Sequence, residues 1–140
     1  MSGQLTPAIQ TFLAHNTAGV LAVHRRDGTI HQTVVRHLFE EGALWISTES
    51  RRLKGRAIQR DGWASYCVHG PEAPFPAVTL EGPATIHTEG IAERTGAIFS
   101  LIVGSPVEPP LTDGGLASMD RVVIELRPTH VYGVSYLDQA

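Results

Sequence analysis

Gly19-Val-Leu-Ala-Val-His24, a compact apolar run, is followed by Asp27-Gly28 and then by Ile30-His-Gln-Thr-Val-Val-Arg-His-Leu38. Asp-Gly between two β-prone runs is among the strongest short-range hairpin signals. Residues 19–24 and 30–38 are therefore expected to pair antiparallel. Glu41-Gly42 marks a second turn and 43–48 a third strand, so the first third reads as a three-strand meander. Outward from it, Ile9, Phe12 and Leu13 recur at helical spacing behind Thr6-Pro7, a good cap and first position, and predict a short helix over 7–14. Residues 50–59 return to helical spacing through Leu53, Ala57 and Ile58 and stop at Asp61-Gly62. Strands are expected at 63–69, 77–87 (with a bend at Gly82-Pro83), 121–126 and 131–136, and a helix at 91–102. Pro71, Pro74 and Pro76 make a rigid connection. Residues 103–118, rich in Pro and Gly, read as a long loop, either a lid or a disordered segment. About six or seven antiparallel strands with short helices are best accommodated by a closed or partly closed barrel, which removes exposed sheet edges.

The bulk numbers bound the function. The 140 residues suit one domain spanning 1–140. The formal net charge of −3, from 11 basic and 14 acidic side chains, argues against general nucleic-acid binding, which needs a basic surface. No apolar run approaches the ~20 residues that span a bilayer, and the first residues lack the pattern of a signal peptide. A single cysteine, Cys67, allows neither an intrachain disulfide nor a cysteine-based zinc site, and fits a reducing cytoplasm. Within an apolar strand it reads as a buried thiol. His31 and His37 share parity on one expected strand, but six residues at ~3.3 Å each separate them too far to share a metal. There is no G-x-S-x-G elbow, no Walker loop and no G-x-G-x-x-G. No metal site and no catalytic side chain is assigned.

One segment is chemically concentrated. Thr48-Glu-Ser-Arg-Arg-Leu-Lys-Gly-Arg56 carries four of the eleven basic residues where a strand hands over to a helix. A helix start offers free N–H groups and the positive end of the dipole. Arginine adds a fork matched to phosphate oxygens, and lysine a compact charge. On a regular helix Lys54 would point nearly opposite Arg52 and Arg56; in an extended entry Arg52 and Lys54 share a side. Arg52 and Lys54 are the expected phosphate pair, with Arg56 a weaker third. The competing account is an ordinary solvated basic face.

The order of these motifs resembles the pyridoxamine-5′-phosphate-oxidase-like split β-barrels, a superfamily of flavin and deazaflavin oxidoreductases. The resemblance runs through Gly19–Val23, the Asp27-Gly28 turn, Ile30-His-Gln-Thr-Val-Val35, Leu44-Trp-Ile-Ser-Thr48 and Arg52-Leu-Lys-Gly-Arg56. It continues through Ala64-Ser-Tyr-Cys-Val68, Val78-Thr-Leu-Glu-Gly82 and Arg121-Val-Val-Ile-Glu-Leu-Arg-Pro128, and so covers nearly the whole chain. The chain departs from many relatives at Arg56-Ala57-Ile58, at Asp61-Gly62, and at Arg36, where an aromatic is frequent. The resemblance implies a mainly β split barrel and a homodimer with cofactor sites at the subunit interface. It implies that Arg52 and Lys54 hold the cofactor phosphate, that Thr33, Val34 and Val35 lie along the ring system, and that Ser47 and Thr48 supply polar contacts. Cofactors in the superfamily divide among FMN, the deazaflavin F420 and, in some branches, haem. The short chain and the Val-Val-Ile-Glu-Leu-Arg-Pro ending resemble the F420 branch, with FMN the alternative. The implied activity is hydride transfer between F420 and a small organic acceptor; a non-enzymatic carrier of the same cofactor is the competing class.

Overall fold

The structure is a computed structural model, and it describes residues 4–72 and 76–133. The first helix, α1 (Pro7–His15), starts as expected: the Thr6 hydroxyl accepts from the Ile9 N–H at 3.2 Å, and Ile9, Phe12 and Leu13 turn into the core. Strands β1 (Ala18–His24) and β2 (Ile30–Arg36) pair antiparallel from Ala18↔Arg36 to His24↔Ile30. Their turn closes with the Gly28 N–H on the Arg25 carbonyl (3.0 Å), Gly28 at φ 88°, and the Asp27 carboxylate accepting from the Thr29 N–H (2.9 Å). Glycine meets that positive φ without the Cβ penalty.

The strand expected over 30–38 is interrupted at His37. The His37 N–H leaves the ladder for the Thr17 carbonyl (2.8 Å). Its fully buried ring lies between the Tyr66 hydroxyl (2.6 Å) and the Leu13 carbonyl (2.9 Å). The next residues form a separate short strand, β3 (Leu38–Glu40), paired with β4 (Ala43–Glu49) across Glu41-Gly42, both at positive φ. The first third is therefore two hairpins in different parts of the sheet, and His31 and His37 do not share a strand.

Helix α2 (Leu53–Asp61) ends at left-handed Gly62 and is followed by β5 (Trp63–His69), β6 (Ala77–His87) and α3 (Ala92–Val103). Helix α4 (Asp113–Ser118), β7 (Arg121–Leu126) and β8 (His130–Gly133) complete the described chain. Pro74 and the last positions of the strand expected at 131–136 lie outside the described residues. The last six residues of the expected loop at 103–118 are helical: α4 buries Leu116 and sends the Asp113 carboxylate to the N–H groups of Gly90, Ile91 and Ala92 (2.6–3.1 Å). Asp113 thus serves the start of α3, which has no side-chain cap of its own.

The strands run in the order β2-β1-β5-β6-β7-β4-β3, with β8 added to β6, and every pairing is antiparallel. This curled sheet with short helices is the split-barrel architecture. Strand β6 makes the split: residues 77–83 pair with β5 and 84–87 with β7. The hand-over is at Gly82, where a Cβ would stand 2.7 Å from the Thr129 nitrogen and 2.9 Å from the Arg127 carbonyl. Alternation along β5 sends Ala64, Tyr66 and Val68 inward and leaves Cys67 exposed, correcting the expectation of a buried thiol. Among the described residues, no helix is long and apolar enough to cross a membrane.

Candidate functional site

The expected phosphate pair sits where β4 ends. That strand lies against β7 with Ser47↔Val123, Thr48↔Val122 and Glu49↔Arg121, so the start of β7 flanks the entry to α2. Asp120, at φ 57°, clamps the connection. Its carboxylate accepts from the Ser50 hydroxyl and from the Arg51 N–H (3.2 Å), while its carbonyl accepts from the Ser50 N–H (3.1 Å). Gly55 lets the first turn of α2 settle onto this clamp: a Cβ there would meet the Glu49 and Ser50 carbonyl oxygens at 3.0 and 3.1 Å. The position of Arg52 and Lys54 is therefore fixed by contacts to the backbone on both sides.

Arg52 is the extended cap residue (φ −70°, ψ 156°) and offers no side-chain cap to the helix behind it. Helix α2 begins at Leu53, so the extended run expected through Lys54 stops two positions earlier, at Arg52; the two side chains nonetheless line one cleft. Arg121 joins them. This cleft of about 300 Å³ is walled by Val34 and Val35 of β2, Ser47 and Thr48 of β4, and Ile98, Phe99 and Ile102 of α3, with Arg36 at its rim. Thr33 and Arg56 lie outside it. The Thr33 hydroxyl is 2.8 Å from the His31 ring, and Arg56 lines a different cavity on the far side of α2.

The electrostatics of the cleft are dominated by like charges. Lys54 is held below its ordinary pKa, first by burial, then by repulsion from Arg52 and Arg121, with Glu49 pulling the other way. Among the described residues Lys54 makes no hydrogen bond or ion pair. Arg121 lies over the Phe99 ring at 5.3 Å and has no carboxylate partner there. Arg52 reaches Glu49 only at 3.8 Å, while Arg51 takes that carboxylate at 2.7 Å. The Ser47 hydroxyl oxygen is buried in this wall with no partner among the described residues. A buried hydroxyl left unpaired is costly, and three like charges facing one space repel. A phosphate would offset those charges, and a polar ligand edge would pair with the Ser47 hydroxyl. The opposite wall, Val34, Ile98 and Ile102, suits a flat ring. The residues present thus fit a phosphate-bearing ring cofactor. Among the described residues, no group of three His, Cys, Asp or Glu is placed to hold a metal ion.

Sequence reasoning missed Arg121, Arg36 and the α3 wall. Ile98 and Ile102 are spaced as one helical face, a usable signal for an apolar wall but not for which cleft it lines. Arg121 opens a strand far along the chain, and only the β4–β7 pairing brings it to Lys54.

Comparison with known proteins bears on the fold and the family. No curated protein matches the sequence. Several solved structures share the fold. An F420 reductase superposes with TM-score 0.68 at 24% identity, covering 88% of this chain and 94% of its own. A FAD-binding protein from Mesorhizobium loti gives 0.68 at 17%, covering 95% and 96%. A haem storage protein from Vibrio cholerae gives 0.68 at 14%, covering 93% and 94%. At these identities the likeness establishes the fold alone. The family model described as pyridoxamine 5′-phosphate oxidase matches residues 5–135, nearly the whole sequence. With the split barrel and the basic β4–α2 junction both in place, this chain belongs to the pyridoxamine 5′-phosphate oxidase family.

Proposed function

We propose that the protein is an oxidoreductase that uses the deazaflavin F420 and passes a hydride to or from a small organic acceptor. The observation that carries this reading is the convergence of Arg52, Lys54 and Arg121 in one cleft that Val34, Val35, Ile98 and Ile102 also line. When bound, the cofactor supplies the hydride chemistry. The chain's own residues bind and orient it. Arg52 and Lys54 hold the phosphate, Ser47 and Thr48 face the polar edge of the ring system, and Val34, Val35 and Ile98 exclude water from its face. No side chain of the cleft is required as a nucleophile.

The strand pattern Val-Val-Ile-Glu-Leu-Arg-Pro at 122–128 favours F420, and the F420 reductase with the same fold supports that choice. FMN is the second reading, supported by the FAD-binding relative. A haem iron needs an axial His, Cys, Met or Tyr, and none of the described residues lining the cleft is one of these. The protein is further proposed to work as a homodimer in the cytoplasm. Val34 is 74% exposed and Ile102 57% exposed at the cleft mouth, apolar surface that a second copy would cover while completing the pocket.

The test is fluorescence titration of the purified chain with F420 and, separately, FMN. Binding of F420 alone, followed by turnover of reduced F420 with a panel of conjugated acceptors, is expected. Binding of FMN alone moves the assignment to the flavin reading. If the Arg52→Gln/Lys54→Gln variant keeps full affinity, the phosphate assignment is wrong. Binding without turnover of any acceptor leaves a carrier.

A further inference from the structure

A second basic cavity, of about 160 Å³, lies on the opposite side of α2 and shares no lining residue with the cofactor cleft. Leu53, Arg56 and Arg60, three and four residues apart, form one face of the helix. Arg25 and Arg26, from the β1–β2 turn, close it from above. Four of the chain's eleven basic residues thus meet in one small space on a protein whose formal net charge is −3.

Two of the four guanidinium groups are fixed. Arg60 donates to the His24 carbonyl (2.7 Å) and pairs with Asp61 (3.0 Å), tying the end of α2 to the end of β1. Arg25 donates to the Ile30 carbonyl (2.7 Å) across the base of the hairpin. The guanidinium groups of Arg26 and Arg56 are on exposed residues and, among the described residues, have neither a hydrogen bond nor an ion pair. Asp61 offsets one positive charge, and the other nearby acid, Asp27, accepts from the Thr29 N–H and hydroxyl. More than one arginine charge therefore remains uncompensated, and the fold holds these like charges together across two elements.

We infer that this cavity is a second anion site, for a compact molecule carrying two or more phosphate or carboxylate groups. Planar guanidinium forks match the oxygen pairs of both groups. The two fixed arginines form a preorganised base, and the two free ones can close over the ligand. The walls carry no aromatic residue and one apolar side chain, Leu53, so the recognised part is the anion and not a ring. The site stands independently of the cofactor proposed for the cleft.

The test is calorimetric titration of the full chain with inorganic pyrophosphate and, separately, with citrate, at low ionic strength. The Arg52→Gln/Lys54→Gln background is used so that the phosphate pair of the cleft contributes nothing. The expected result is single-site binding of one or both probes, weakened about tenfold or more by adding Arg26→Gln with Arg56→Gln and weakened again by added salt. Pyrophosphate alone would identify a phosphate ligand, citrate alone a carboxylate ligand. All four substitutions are at solvent-reachable charges, and a thermal melt of each variant confirms folding. Failure of both probes to bind, or equal binding by the quadruple variant, overturns the inference.

Discussion

Replacing Lys54 by methionine should strengthen the empty protein while weakening its hold on an anionic ligand. Lys54 is half-buried, has no partner among the described residues, and is repelled by Arg52 and Arg121. Methionine keeps the length of the side chain and removes the charge. Solvent exposure screens part of the repulsion, so the expected gain is about 0.5 kcal/mol, or roughly 2 °C in Tm for a domain of this size. In the same variant a phosphate ligand loses one charge-assisted hydrogen bond, about 1.5–3 kcal/mol, or roughly 10- to 150-fold in Kd. The pH dependence carries a matching sign. The folded pKa of Lys54 is depressed, so in the alkaline range below its ordinary value of 10.5 the unfolded chain binds more protons than the folded one. Stability therefore rises with pH across that window, and the wild type should approach Lys54→Met as the pH climbs through it. The assays are thermal unfolding of the ligand-free pair from neutral to alkaline pH, and titration of both with F420 and FMN. A lower Tm for Lys54→Met together with unchanged affinity would refute the account, because Lys54 would then be a structural cation.

Two further outcomes are expected. Burial holds the pKa of His37 below its ordinary value of 6.5 despite the bond to Leu13, so stability should fall as pH drops below that value and the unfolded chain takes up the proton first. In Leu or Gln variants of His37 this acid-side slope should flatten in urea titrations across that range, and His37→Ala should cost about 2–4 kcal/mol through its cavity and the unpaired Tyr66 hydroxyl. Asp120→Ala frees the Ser50–Arg51 turn without touching ligand, and should weaken cofactor binding about threefold to tenfold while leaving the second arginine cavity unaffected, read by parallel titrations with FMN or F420 and with pyrophosphate.

Much of this protein was written locally. Residues 63–69, 77–87 and 121–126 alternate or run apolar between turn signals and become strands with those bounds. Thr6-Pro7 starts α1 and Gly62 ends α2, because caps and left-handed positions are decided within a few residues. The basic junction at 51–56 was equally legible, since charge density along the chain needs no fold to be seen. His37 marks where local reasoning ended. Its β-prone surroundings continue a strand, but the buried bonds to Tyr66 and Leu13, partners distant in the chain, turn the backbone out of the ladder and divide one expected strand between two hairpins. Asp113, in an apparent loop, earns its order from the N–H groups of α3 some twenty residues earlier. The sequence alone determined the elements, the turns and the presence of Arg52 and Lys54. Only the tertiary structure decided that Arg121 joins them, that Arg56 faces Arg25, Arg26 and Arg60 instead, and that the Ser47 hydroxyl oxygen is buried with no partner among the described residues. Periodicity and capping act over a turn or two of chain, whereas an anion site is a sum of charges through space, set by which strands pair.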